Sequence, residues 1–79
     1  MAKFQISSTY YDEHKKELQF FVGDAIHCTL HCENEPSDKE VDDLCREIEY
    51  EQNTIGNNIF DGGTYIQNEN KNKKVRITF

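Results

Sequence analysis

The sequence predicts a small α+β fold, in which an antiparallel sheet of four to five strands in β-β-β-α-β-β order carries one amphipathic acidic helix on one face. Three observations favour it: period-two alternation in the first third of the chain, a capped helical pattern in its middle, and renewed alternation at its end. Seventy-nine residues are enough for a hydrophobic core with about two layers of secondary structure. Residues 1–79 are therefore predicted to form a single domain.

The first three strands are predicted from alternating apolar residues. Gly23-Asp24 separates the second and third strands, and a glycine followed by an aspartate is typical of a tight hairpin turn. We therefore expect an antiparallel meander. One side of its strands carries Phe4, Ile6, Ser8 and Tyr10, then Leu18, Phe20 and Val22, then Ile26, Cys28, Leu30 and Cys32, while His27, Thr29 and His31 lie on the other side.

The helix is predicted from its cap and its apolar stripe. Ser37 and Glu40 match a capping box, so the helix should begin there, with Pro36 just outside it. Gly56 is a suitable C-terminal stop. Apolar residues at helical spacing should pack against the sheet; they are Val41, Leu44, Cys45 and Ile48, extended by Ile55 if the helix runs that far.

The last third of the chain gives weaker signals. Ile59 and Phe60 either begin a hairpin or fill the end of the core, and 61–63 is typical of a turn. Residues 64–67 suggest a short strand, and the polar residues 68–74 suggest a loop. Alternation in 75–79 predicts a final strand, pairing with 64–67.

Charge and segment composition exclude several function classes. The formal net charge of -6 argues against direct nucleic-acid binding, since phosphate neutralisation by Lys and Arg supplies most of that affinity. It also argues against binding to an anionic membrane. No early apolar run resembles a signal peptide, so a cytoplasmic protein is expected. Three cysteines, an odd number, indicate free thiols.

Residues 27–32, HCTLHC, contain the ligand types of a zinc site. On a strand, however, His27 and His31 are about 13 Å apart, as are Cys28 and Cys32, so neither pair can share one ion or one disulfide. We therefore expect no metal and no cofactor, with the cysteines acting as small core residues. A small metal- or redox-responsive protein remains an alternative.

Catalytic motifs are not recognisable. No spacing of Cys or Ser with His suggests an activated nucleophile, and no Gly-rich phosphate loop or nucleophile elbow is present. The sequence therefore predicts no enzyme and no catalytic residue.

Residues 33–51 hold nine of the fifteen carboxylates against Lys39 and Arg46. The direction opposite the apolar stripe is occupied by Asp43, Arg46, Glu47 and Tyr50, and an exposed tyrosine within a charged surface is a typical binding anchor. The alternative is that the carboxylates only solvate a surface helix. The predicted partner-binding residues are Glu33, Glu35, Asp42, Asp43, Glu47, Glu49 and Tyr50.

In size, acidity and a plan of a small sheet with one carboxylate-rich helix, the chain resembles small phage-encoded proteins that inhibit host factors or defence systems, some of which mimic DNA. The resemblance spans the whole chain and is carried mainly by residues 33–51. It implies an inhibitor acting in the host cell cytoplasm. Its partner would be a basic nucleic-acid-binding host protein, such as a nucleoid protein, RNA polymerase, a nuclease or a CRISPR complex.

A third interpretation is a homo-oligomerising module, in which an exposed edge strand pairs with another copy and Phe21, Thr29 and the histidines lie on the shared face. A homodimer is also compatible with mimicry, because two acidic helices would lengthen the charged array.

Overall fold

The fold was obtained as a computed structural model that describes residues 3–56, 61–67 and 75–79. It has one helix and a five-stranded mixed sheet, so the predicted α+β class is confirmed. The elements in chain order are β1 (Ser8–Asp12), β2 (Glu17–Val22), β3 (Ala25–His31), α1 (Asp38–Thr54), β4 (Gly63–Tyr65) and β5 (Ile77–Thr78). Hydrogen-bonded neighbours follow the order β1-β2-β3-β4-β5.

The sheet is not fully antiparallel, which corrects the prediction. β3 and β4 pair in parallel, with Leu30 opposite Gly63, whereas the other three pairings are antiparallel. The reason is that α1 lies between β3 and β4 in the chain, and a crossover helix returns the chain to the end of the sheet from which it left. Local alternation identifies strands but does not report this change of direction.

The predicted meander and its tight turn are confirmed. Val22 faces Ala25 across a two-residue turn in which Gly23 has φ 64°, a conformation that glycine adopts at little cost. In the preceding connection, Asp12 Oδ1 accepts from the backbone N–H groups of His14 (3.0 Å) and Lys15 (3.3 Å), which closes the turn between β1 and β2.

The first predicted strand begins later than the alternation suggested. Residues 3–7 precede β1, which begins at Ser8. Phe4 and Ile6 bond to side chains of α1, whereas the Ser7 N–H already donates to the Phe21 carbonyl of β2 (2.9 Å). The alternating run therefore covers two environments, because its first residues lie beside α1 and its later residues form a strand of the sheet. Tyr10 is 59% exposed, while Tyr11 packs against the core, so the prediction that placed Tyr10 on the side of Phe4 and Ile6 is wrong.

A bulge between β2 and β3 moves His27 out of its predicted position. Phe20 faces Cys28 and Phe21 faces Ile26, so His27 is the additional residue. Its ring centroid lies 4.5 Å from that of Phe4, which packs against the core. Ile26 is exposed, so it does not continue the buried set of Cys28 and Leu30 as the alternation predicted.

The helix begins as predicted. Glu40 N–H donates to Ser37 Oγ (3.2 Å) and Ser37 N–H donates to Glu40 Oε1 (2.9 Å), completing the capping box. At the other end, Gly56 has φ 83° and its N–H bonds to the Glu51 carbonyl (3.2 Å). The helix ends at Thr54, so the condition for Ile55 to extend the apolar stripe is not met, and Ile55 is 56% exposed.

The core lies between α1 and the sheet. Leu44 and Ile48 are buried, and Val41 and Cys45 pack against them, which confirms the predicted stripe. The fully buried residues from the sheet side are Leu18, Phe20, Cys28, Leu30, Cys32 and Tyr65. Cys28 and Cys32 are therefore core residues, as the strand pattern predicted.

The C-terminal strands are shorter than their patterns. β4 and β5 pair antiparallel, with Tyr65 opposite Ile77, which agrees with the predicted pairing. The predictions for Ile59, Phe60 and 68–74 lie outside the described residues. Within the described part of the chain, no helix has the length and apolar character needed to cross a membrane.

Candidate protein-binding surface

The outer surface of α1 is the most acidic region of the chain. The helix has seven carboxylates and two cations, and no basic residue stands in its last turn. Asp42 Oδ2 lies 2.9 Å from Arg46 Nη2, one turn along the helix. Among the residues that the structure describes, this is the only ion pair formed by a helix carboxylate. Most of the helix charge is therefore unneutralised there.

Tyr50 stands on this surface as predicted. Tyr50 is 62% exposed. It lines a shallow cavity together with Arg46 and Asn53 of α1 and Phe4 of the N-terminal segment. An aromatic ring in this position offers a large contact area with only two side-chain torsions to order. Tyr50 is the largest exposed side chain on the helix that is not charged.

Glu49 lies on the flank of α1 that faces residues 3–7. The Ile6 N–H donates to Glu49 Oε2 at 2.8 Å. One turn later, Asn53 Oδ1 accepts from the Phe4 N–H (2.8 Å), and Asn53 Nδ2 donates to the Phe4 carbonyl (3.1 Å). Glu49, predicted to contact a partner, therefore fixes the N-terminal segment to the helix.

Asp43 and Glu47 lie on the opposite flank of α1. Both residues are half-buried, rather than at the centre of the solvent-exposed face as predicted. In the described ranges neither carboxylate has an ion pair. They are one turn apart, a spacing at which like charges repel each other. Among residues 3–56, 61–67 and 75–79, this flank therefore holds charge that no ion pair neutralises.

Glu33 and Glu35 lie in the connection between β3 and α1, apart from the helix surface. Glu33 Oε2 is 2.6 Å from His31 Nε2, and its Oε1 is 3.5 Å from Lys16 Nζ. The His31 hydrogen bond, followed by the charge and hydrogen bond of Lys16, lowers the pKa of the Glu33 carboxyl. Glu35 is exposed and lies near Tyr11, whose pKa is raised by burial and by nearby negative groups.

A groove between β1 and α1 was not predicted from the sequence. Its volume is about 430 Å³, and a second cavity of about 310 Å³ continues it past Thr9 toward Pro36. Ile6, Val41 and Cys45 are its apolar lining, and they also pack against the core. We call this feature the β1–α1 groove. The sequence carries no signal for it, because the alternation of residues 3–10 continues unbroken where the chain passes from beside α1 into the sheet.

The histidines and cysteines do not form a common site. His27 contacts Phe4, whereas His31 pairs with Glu33. Within the described ranges, no three side chains of His, Cys, Asp or Glu come close enough together to hold a metal ion. Burial raises the pKa of the Cys28 thiol to about 12 and those of Cys32 and Cys45 to about 11. Buried neutral thiols are poor nucleophiles.

Comparisons with protein-family models, with curated proteins and with solved structures found no match to this chain.

Proposed function

We propose that the protein is a non-enzymatic binding protein that uses the acidic surface of α1 to occupy the nucleic-acid-binding surface of a basic protein. The observation that carries the proposal is that six of the seven helix carboxylates have no ion pair among the described residues. Unneutralised charge on one helix creates a field that attracts a basic partner and accelerates association.

The charge density of α1 supports mimicry of DNA. Its seven carboxylates and two cations are distributed over 17 residues, about 25 Å at ~1.5 Å per residue. The resulting density, about one net charge per 5 Å, is of the same order as one phosphate per ~3.4 Å in a DNA strand. A protein surface shaped to bind phosphates would therefore meet a related charge pattern.

The residues of the acidic surface have different roles in this proposal. Asp43 and Glu47 present charge without an ion pair among the described residues, Asp42 presents its charge beside Arg46, and Tyr50 gives an exposed contact. Glu33, Glu35 and Glu49 add to the field from the ends and the flank, while Glu33 and Glu49 also keep their internal contacts. The raised pKa values of the three thiols argue against a cysteine nucleophile, because the thiolate is the reactive form.

The test is affinity capture from a nuclease-treated bacterial lysate, with elution by short duplex DNA or by salt. We expect the wild-type protein to retain basic DNA-binding proteins that are released by either eluent. The double variant Asp43→Lys/Glu47→Lys should lose them. A matched control, Glu13→Lys/Asp24→Lys, changes the net charge equally at two exposed turn positions and should retain them.

Two outcomes would reject the proposal. One is capture of the same proteins by wild type and Asp43→Lys/Glu47→Lys. The other is a set of captured proteins that neither salt nor duplex DNA releases. Circular dichroism of each variant establishes that loss of binding does not reflect loss of the fold.

A further inference from the structure

The β1–α1 groove has three features that together define a ligand. One wall is an edge strand, because β1 pairs with β2 and with no other described strand. Three apolar side chains, Ile6, Val41 and Cys45, contribute to a lining that is otherwise polar. The helix side of the rim carries three carboxylates, Asp38, Asp42 and Glu49, and one cation. That cation, Arg46, pairs with Asp42, and Glu49 accepts from the Ile6 N–H, so Asp38 is the rim carboxylate without a described partner. We propose that this groove binds an extended, lysine- or arginine-bearing segment of the partner, which adds as a strand to the free edge of β1.

The edge of β1 supplies the backbone contacts for such a strand. Alternate N–H and C=O groups of an edge strand point away from the sheet and are ready to pair with another extended chain. β1 contains neither proline nor lysine, the residues that commonly block an edge. Recognition of this type uses main-chain hydrogen bonds for affinity and alternate side-chain pockets for specificity.

The spacing of the rim carboxylates fits the repeat of an added strand. Asp38 and Asp42 are four residues apart on the helix, a rise of about 6 Å. Side chains on one face of a strand recur every ~6.6 Å. Lysines at alternate positions of the added strand would therefore meet successive carboxylates of the rim.

Charge complementarity decides between possible occupants of the groove. A second copy of this chain would bring its own Asp38 and Asp42 to the same edge, and like charges would face each other. Nucleic acid would be repelled for the same reason. An extended basic segment of another protein is the occupant that satisfies both the free backbone edge and the acidic rim.

This inference rests on the proposed function, because it specifies how a basic partner is held. It differs in location, since the contacts lie between β1 and α1 rather than across the outer surface of the helix. Tests of the groove must therefore separate strand addition from general attraction between opposite charges.

The probes are a seven-residue peptide alternating lysine and valine, and two isomers of it with N-methyl groups on the odd or on the even amides. Each isomer keeps the charge but blocks one edge of the extended peptide. We expect the unmodified peptide to bind and to slow amide hydrogen exchange in β1. Only one of the two isomers should bind about tenfold more weakly, since one or two backbone hydrogen bonds are lost.

Matched variants test the rim. Asp38→Asn/Asp42→Asn should weaken peptide binding about fivefold to tenfold, whereas Glu13→Gln/Asp24→Asn, with the same change of net charge, should alter it less than about twofold. A third variant, Asp43→Asn/Glu47→Gln, removes charge from the opposite flank. It should have a smaller effect than the rim variant.

The outcomes distinguish the groove from the proposed function. If both N-methylated isomers bind as tightly as the parent, or if Asp43→Asn/Glu47→Gln has the larger effect, strand addition in the groove is rejected while an acidic binding surface stands. If none of the basic peptides binds even at low salt, the groove proposal is rejected, and the capture experiment alone decides the proposed function. Selective loss with one isomer and with the rim variant supports the groove.

Discussion

Both flanks of α1 carry carboxylates, but the contacts of these carboxylates differ between the two flanks. On the flank facing residues 3–7, Glu49 and Asn53 hold the backbone of Phe4 and Ile6 through three hydrogen bonds of 2.8–3.1 Å. On the other flank, Asp43 and Glu47 are half-buried and have no ion pair in the described ranges. Carboxylates that fix the fold are therefore distinguishable from carboxylates that add repulsion to it.

This contrast indicates which helix carboxylates are candidates for binding a partner. A residue that is retained although it costs stability is a better candidate for binding than one that contributes to the fold, because natural proteins lose some stability where activity requires it. By this criterion Asp43 and Glu47 are stronger candidates than Glu49. The criterion can be tested by measuring stability alone, before any partner is known.

The free energy of unfolding should change most when side chains on the flank of α1 that contacts residues 3–7 are replaced. Glu49→Ala/Asn53→Ala removes the three hydrogen bonds to Phe4 and Ile6 and should lower the free energy of unfolding by about 2–3 kcal/mol, at ~1 kcal/mol for each bond. Asp43→Ala/Glu47→Ala should stay within about 0.5 kcal/mol of wild type or exceed it. Urea unfolding of both variants measures the difference. Equal losses would remove the contrast between the flanks.

The next effect concerns Cys45, which lies beside the first flank. Burial, followed by the charges of Glu49 and Asp42, raises its pKa to about 11. Neutralising these charges with Asp42→Asn/Glu49→Gln should lower this pKa, so iodoacetamide should alkylate Cys45 faster at pH 9 than in wild type. Asp43→Asn/Glu47→Gln should leave the rate unchanged. Mass spectrometry of the Cys45 peptide gives the rates, and equal acceleration in both variants would contradict the assignment.

The same thiols predict a stability loss at alkaline pH. An unfolded thiol has a pKa near 9, whereas the folded values are about 11 to 12. Between these values the unfolded chain releases protons that the folded chain keeps, so stability is full below pH 9 and falls as pH rises. Each thiol contributes up to about 1.4 kcal/mol per pH unit. Cys45→Ala should reduce the slope of the unfolding free energy against pH, and an unchanged slope would contradict the burial of this thiol.

Local sequence signals predicted the parts of the fold that depend on neighbouring residues. The Ser37–Glu40 capping box and the Gly23-Asp24 turn are set by contacts within a few residues, and both are present. The apolar stripe of α1 was also predicted, because helical spacing alone determines which side chains share a face.

Features that depend on distant contacts were missed. The alternation of residues 3–10 continues through Ser7, although the chain there passes from a position beside α1 into the sheet. The bulge at His27 and the parallel pairing of β3 with β4 likewise arise from tertiary packing. For the candidate site, composition located the acidic helix. It did not show that Glu49 and Glu33 have internal partners, because a charge pattern contains no information on what each charge faces.

The smallest predicted effect tests the sign of the charge contribution on the second flank. Asp43 and Glu47 are one turn apart, as are Glu47 and Glu51, and each like-charged pair of this spacing costs about 0.2–0.5 kcal/mol. Lys39 stands one turn before Asp43, and its attraction offsets about one such pair. Asp43→Asn/Glu47→Gln should therefore raise the free energy of unfolding by about 0.2–0.5 kcal/mol at low salt. Because salt screens exposed charges, the gain should shrink between ~0.02 M and ~0.5 M sodium chloride.

The first flank should respond with the opposite sign. Asp42 pairs with Arg46 at the same one-turn spacing, so Asp42→Asn should lower stability at low salt by about 0.3–0.5 kcal/mol. Thermal unfolding of the two variants across the salt series measures both signs. If Asp43→Asn/Glu47→Gln instead destabilises the protein, its carboxylates have structural partners. Asp43 and Glu47 would then contribute to the fold, leaving Asp42 and Tyr50 as the candidates for binding on the helix surface.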